Sequence, residues 1–185
     1  MIWFGMVLSM GGFQMQMVAR GILVYNLTGD AFITGIVGMG FAPSLLVVSL
    51  YGGVLGDRVE RRMLIQVSQA VNGVLAGIVA ILMFTGSLAW GHLFAVSVAQ
   101  GAMFALQMPA RQAAIPSLVG KDQLPNAFAL NAMAMSMMTL IAPALAGVLY
   151  EVIGPENVYV MVCAVMLSAV IFTSLVPKMP PPVAA

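Results

Sequence analysis

Ten residues, Gly53-Val-Leu-Gly-Asp57-Arg58-Val-Glu60-Arg61-Arg62, constrain the fold more than any other part of the chain. The 185 residues hold seven Lys and Arg and six Asp and Glu, and five of these charges crowd into that stretch, between two long apolar runs. Charge this dense does not sit in hydrocarbon, where nothing replaces its hydration. The stretch is therefore a tight turn at a membrane surface, and the runs on either side of it are spans.

Composition agrees with that reading. Hydrophobic residues make up 62% of the chain, charged residues 7%, and the mean hydropathy is +1.04. A soluble domain carries about 25% charged residues. The apolar runs are continuous rather than alternating, which selects helices over a membrane barrel. At 1.5 Å per residue a span takes about 20 apolar residues. Six stretches qualify: 2–25, 32–55, 63–85, 91–110, 126–149 and 157–177. The expected fold is all-α, a polytopic bundle of six transmembrane helices. Leu27-Thr28-Gly29-Asp30, Thr85-Gly86-Ser87 and Gly154-Pro155 supply the turns. Residues 178–185, rich in proline, read as a tail outside the bilayer or the start of a linker. No signal peptide is expected, because the first nineteen residues hold no Lys or Arg and no small-residue cleavage site follows the first apolar run.

The basic residues orient the bundle. Arg58, Arg61 and Arg62 fall in the second loop, Arg111 and Lys121 in the fourth, and Lys178 in the tail, whereas the odd-numbered loops hold only Asp30, His92, Glu151 and Glu156. The positive-inside rule places both termini in the cytoplasm. In a prokaryote the location is the inner membrane. A weak internal repeat accompanies this topology: Gly53-Val-Leu-Gly-Asp57 ends the second run and Gly147-Val-Leu-Tyr-Glu151 the fifth, each following a proline, Pro43 or Pro143.

Several classes of chemistry are excluded. A net charge of +1 offers no basic surface, so nucleic acid is not an expected partner. Cys163 is single and His92 has no partner at ligand spacing, so neither a disulfide nor a metal site is expected. No nucleophile stands beside a base, and no glycine loop precedes a Lys-Ser/Thr pair. No catalytic residue, enzyme activity or cofactor is expected.

Polar side chains within the spans are the remaining candidates. Gln16 and Arg20 lie one turn apart on the first span. Gln100, Phe104, Gln107 and Arg111 follow i, i+4, i+7, i+11 on the fourth, which is one helical face. Asn131 stands early in the fifth. Such residues face a bundle interior or a water-filled path. Two readings of Arg20 stay open: contact with a transported molecule, or snorkelling to the surface over the about 7 Å to the expected helix end. For Gln16, Gln100 and Gln107 the alternative is hydrogen bonding between helices. Seventeen methionines, with Met133, Met135, Met137 and Met138 together, read first as fillers of irregular helix contacts.

The charged turn resembles the loop motif between the second and third helices of major facilitator superfamily transporters. Gly53, Asp57, Arg58, Arg61 and Arg62 match it, and Glu60 stands where the family usually has Gly. Leu140-Ile-Ala142-Pro143-Ala-Leu-Ala146-Gly147 resembles the fifth-helix motif of the superfamily's exporters and antiporters through Pro143 and Gly147. Val24-Tyr25-Asn-Leu27-Thr28-Gly29 and Gln107-Met-Pro109-Ala-Arg111 are similar to the enterobactin-exporter-like and macrolide-efflux-like branch.

The resemblance covers the first six of that family's twelve helices and implies a 3+3 inverted repeat. It further implies that Asp57 braces the loop against the opposite half, and that Gln16, Arg20, Gln100, Gln107, Arg111 and Asn131 line the substrate path. The function it implies is export of a small amphipathic molecule, siderophore- or drug-like, by proton antiport and alternating access. The partners it implies are a small-molecule substrate, the lipid bilayer and a second six-helix bundle, either a C-terminal half or a homodimeric copy. The competing expectation is a non-transporting truncated paralogue or assembly partner that acts by helix association.

Overall fold

The computed structural model describes residues 2–58, 60–118 and 120–175; the side chains of residues 2–4, 51–58, 117, 118 and 121 lie outside that description, as does the proline-rich tail. The described residues form helices and no strand: α1 (Ile2–Thr28), α2 (Ala31–Met39), α3 (Phe41–Arg58), α4 (Arg61–Phe84), α5 (Trp90–Leu118), a 3-10 turn at Lys121–Gln123, α6 (Leu124–Ile153) and α7 (Pro155–Ser174). Five stretches are long and apolar enough to cross a membrane, with α2 and the first part of α3 counted as one. The 27 residues of α1 reach about 40 Å. Gln14, Gln16 and Arg20 place polar side chains along its middle.

The turns form where small and capping residues were expected. Gly29 takes a φ of +64° to end α1, and the carboxylate of Asp30 accepts from the Phe32 N–H at 2.7 Å to start α2. Gly154 at φ +84° separates α6 from α7, whose first residue is Pro155.

Two spans differ from their sequence outlines. The second, expected as one helix over 32–55, breaks between α2 and α3 at Gly40. Pro43 has no N–H to return to the Met39 carbonyl, and the Phe94 ring of α5 lies 2.9 Å from where a Cβ on Gly40 would stand. The fourth, expected to end near 110, continues as α5 to Leu118 through Pro109 and Pro116. Alanines at 110, 113 and 114 favour helix there, and contacts with α1 and α4 hold the segment.

The main packing pairs are α4 with α7, α3 with α5, α1 with α7, α1 with α6, and α4 with α5. Exchanging the first three spans for the last three turns α1 into α5, α3 into α6 and α4 into α7. Every main pair then maps onto another: α1–α6 onto α5–α3, α1–α7 onto α5–α4, and α4–α7 onto itself. Directions agree as well. Gly11 faces Met138 and Asn26 bonds Tyr150, so α1 and α6 run parallel, as do α3 and α5 through Gly40–Phe94 and Ser44–Gly101. Arg20 reaches Gln100 while Arg111 reaches Met6, so the two exchanged helices α1 and α5 are antiparallel. This is the arrangement of a 3+3 inverted repeat.

The polarity is that of a membrane protein. Leu50, Leu140, Val152 and Phe32 are between 73% and 79% exposed, whereas Gln16, Gln69, Gln100, Asn72 and Arg20 are buried. The apolar core runs between α1, α4, α5 and α7 through Ala19, Val24, Ala76, Leu93, Val162 and Met166. The chain is a multi-pass membrane protein.

Candidate functional site

Where α1 crosses α5, Arg20 donates from Nη1 to the side-chain carbonyl of Gln100. Gln16 sits one turn before Arg20, and the Tyr159 hydroxyl of α7 comes within electrostatic range of the Arg20 guanidinium. All four residues are at most 4% exposed. Arg20 therefore does not snorkel: it lies about 12 Å from the end of α1 and points into the bundle. Both polar atoms of Gln16, the Gln100 Nε2, the Tyr159 hydroxyl and the neighbouring Ser97 hydroxyl have no hydrogen-bond partner among the described residues. Beside this set, Phe13, Phe41 and Phe104 join α1, α3 and α5, with Phe13 stacked on Phe104 at 5.2 Å and Phe41 edge-on to it at 5.5 Å.

The face expected on α5 forms as one stripe, with Gln100, Gln107 and Arg111 buried and Phe104 half-buried. It is turned into the bundle. Arg111 donates from Nη2 to the Met6 carbonyl of α1 at 2.8 Å, beside the apolar group of Met6, Leu64, Ile65, Ala110 and Ala114. Asn131 stands apart on α6, half-buried, with its Nδ2 at 3.7 Å from the Met135 sulfur. Of the six candidate pathway residues, the structure brings Gln16, Arg20 and Gln100 together. It leaves Gln107 and Arg111 farther along α5, and Asn131 on another helix.

Gly53, Asp57 and Arg58 end α3 as helix, and their side chains lie outside the described residues. Arg61 and Arg62, which open α4, each reach a neighbouring helix: Arg61 Nη1 donates to the Ala113 carbonyl of α5 at 2.9 Å, and Arg62 Nη2 to the Ser174 carbonyl of α7 at 2.6 Å. Both acceptors lie in or near the last turns of their helices, where unsatisfied carbonyls and the helix dipole favour a cation. The basic pair thus ties the start of α4 to the ends of α5 and α7. On α6, Pro143 is inside the helix, Ala142 and Ala146 are buried in the core, and a Cβ on Gly147 would meet nothing within 4 Å.

A second buried polar contact escaped the sequence reading. Thr173 of α7 donates to the Gln69 side-chain carbonyl of α4 at 3.1 Å, next to Asn72 and Ser68. The i, i+1, i+4 spacing of Ser68, Gln69 and Asn72 on one span was the available signal. At the opposite end of the bundle from the arginine pair, Leu23, Asn26, Leu27, Met83, Tyr150 and Glu156 line a cleft of about 340 Å³, in which Asn26 donates to the Tyr150 hydroxyl at 3.2 Å. No group of three His, Cys, Asp or Glu able to hold a metal ion occurs among the described residues.

The chain is 28% identical over 176 residues to the enterobactin exporter EntS of Citrobacter koseri, a match that covers 91% of this chain and 38% of that protein. It is 26% identical over 168 residues to the enterobactin exporter EntS of Shigella boydii serotype 4, covering 89% and 40% respectively. The chain thus spans about two-fifths of the length of these relatives. The family model described as transmembrane secretion effector matches residues 1–180. With its apolar helices in a 3+3 arrangement, the chain belongs to the transmembrane secretion effector family of the major facilitator superfamily.

Proposed function

We propose that the chain is the N-terminal half of a secondary active transporter that exports a small amphipathic molecule, siderophore- or drug-like, by alternating access. The observation that carries this reading is the family match along residues 1–180, together with relatives named as enterobactin exporters that align to this chain over only 38% to 40% of their length. One six-helix bundle has no opposite wall for a substrate path, so a second bundle is the partner, either a C-terminal half or a second copy. Both termini face the cytoplasm in this reading, and the Arg61–Arg62 pair stiffens that end of the bundle while Asp57 contacts the partner. Pro143 and Gly147 belong to the sliding face of α6. Asn131 faces the path, whereas Gln16, Arg20, Gln100, Gln107 and Arg111 shape it from inside the bundle.

Proton antiport is the proposed coupling. The described acids Asp30, Glu60, Asp122, Glu151 and Glu156 all lie at helix ends, so in this reading the second bundle supplies the titrating group within the membrane. The test is reconstitution of the chain with a second bundle in proteoliposomes carrying an imposed pH gradient, with catecholate and amphipathic drug substrates. Flux that follows the gradient is expected. Flux indifferent to it would remove the antiport, and an absence of flux for every substrate and partner would remove transport altogether.

A further inference from the structure

Arg20 is, among the described residues, a cation without a carboxylate. Among the described residues its side-chain partner is the carbonyl of Gln100, and no acid forms an ion pair with it. A guanidinium has five N–H donors, and a charge held this far from water is costly unless an opposite charge or further hydrogen bonds meet it. What surrounds it consists mainly of donors. Because Gln100 turns its carbonyl to Arg20, the free end of that amide is the Nε2 donor, which has no partner. The Tyr159 hydroxyl, the Ser97 hydroxyl one turn from Gln100, and the Gln16 amide one turn from Arg20 are also unpartnered, and each of the three residues is at most 1% exposed. Buried polar atoms left unsatisfied in this number are uncommon in native interiors. Here they lie one helical turn from Arg20 or Gln100 and on the neighbouring α7, with more free N–H and O–H groups than acceptors.

We propose that Arg20, with Gln16, Ser97, Gln100 and Tyr159 around it, is an internal binding site for a small monovalent anion such as chloride. The anion accepts from the guanidinium, the two amides and the hydroxyls, and neutralises the buried charge. Enclosure decides the size class. Helices α1, α5 and α7 cover the set, so an ion of halide dimensions is held there in preference to a bulky molecule. Such a site pins α1 to α5 and α7 at the level where the two inverted halves of the bundle cross. It is distinct from a path between two bundles, and it does not depend on which substrate is carried.

The test is thermal unfolding of the intact chain in detergent, in chloride, bromide, nitrate or gluconate at one ionic strength. Chloride and bromide are expected to raise the Tm of the wild type over gluconate by about 3 °C or more at saturating concentration. Tyr159→Phe and Gln16→Leu are expected to shift the half-saturating chloride concentration upward several-fold. Arg20→Met removes the charge itself, so its Tm is expected to be the same in all four salts and to equal or exceed the wild type in gluconate. Should Arg20→Met not accumulate, the wild-type salt series with the two milder variants decides the matter. A wild-type Tm independent of the anion, or an anion effect equal in wild type and variants, overturns the site and leaves ordered water as the occupant. Stabilisation by a carboxylate-bearing substrate and not by chloride would overturn it as well, and would assign the same donors to the carried molecule.

Discussion

Gly101→Ala is the most incisive change that the packing of the bundle offers. Gly101 of α5 lies against the start of α3: a Cβ there would stand 2.2 Å from the Ser44 hydroxyl, 2.3 Å from the Phe41 carbonyl oxygen and 3.1 Å from the Phe41 carbonyl carbon. The hydroxyl can swing away, at the loss of its 3.0 Å bond to the Phe41 carbonyl, about 1 kcal/mol. The carbonyl cannot, because it is part of the α3 backbone. To restore contact, α3 must move off α5 by about 1 Å, a strain of the kind that costs roughly 1–3 kcal/mol in overpacked cores. The shift also loosens Phe41 from Phe104, an aromatic contact worth about 0.5–1.5 kcal/mol. Against these stands the better helix propensity of alanine, about 1 kcal/mol. The net loss is about 2–4 kcal/mol, a large share of a typical 5–15 kcal/mol stability.

The assay is thermal unfolding in mild detergent, where that loss lowers Tm by about 5–15 °C. Gly147→Ala is the control: it has the same propensity gain, and nothing stands within 4 Å of its Cβ, so its Tm should hold or rise slightly. Gly11 of α1 faces α6 as Gly101 of α5 faces α3, and its Cβ would meet only the flexible Met138 side chain, with the sulfur at 3.2 Å, so Gly11→Ala should fall between the two. If Gly101→Ala unfolds with Gly147→Ala, the close approach of α3 to α5 is refuted, and the α1–α6 and α5–α3 correspondence goes with it.

Arg111→Met removes a charge-assisted bond to the Met6 carbonyl and should cost about 1.5–3 kcal/mol, read as a lowered Tm; an unchanged Tm would mean that the contact contributes nothing. Asp57→Asn should lower transport by the complete assembly at least about tenfold while the protein still inserts, and wild-type flux would reduce the loop to a topological signal. With single cysteines in intact cells, position 30 should react with an impermeant reagent and position 121 should be protected; the opposite pattern would reverse the orientation.

The spans were legible because a run of about 20 apolar residues has few other uses, and the turns because Gly29 and Gly154 punctuate them. The break at Gly40 was not legible. Pro43 alone is compatible with a kinked continuous helix, and the Phe94 ring that occupies the break arrives from a segment fifty residues away. The end of α5 was misplaced because Pro109 reads as a stop, although α1 and α4 contact the turns beyond it. Helical spacing identified the face of Gln100, Gln107 and Arg111, but spacing cannot say whether a face meets a substrate path or the interior of its own bundle. The burial of these three and the Gln100 contact of Arg20 came from the fold and not from the spacing. The role of Arg61 and Arg62 as ties to α5 and α7 lay hidden, because carbonyl acceptors are the same at every residue and leave no trace in a sequence.

Placement of the polar groups bears on what a second bundle has to supply. In a single half, any side chain that lines a path between two halves has no cover, so it should be open here. Gln16, Arg20, Gln100, Gln107 and Arg111 are no more than 9% exposed, so this half covers them by itself. The open surface is of another kind. Helices α3 and α6 pack chiefly on α5 and α1, occupying equivalent edges under the internal exchange, and they carry Leu46, Leu50, Met133, Met137, Leu140 and Val148 outward. Apolar side chains there give a docking half or a carried amphipathic molecule contact area without fixed hydrogen bonds, and methionine adapts to several shapes. Under the proposed export function, discrimination by charge would then fall to the opposite bundle. Charge substitutions on α3 and α6 should accordingly perturb assembly before they perturb the choice of substrate.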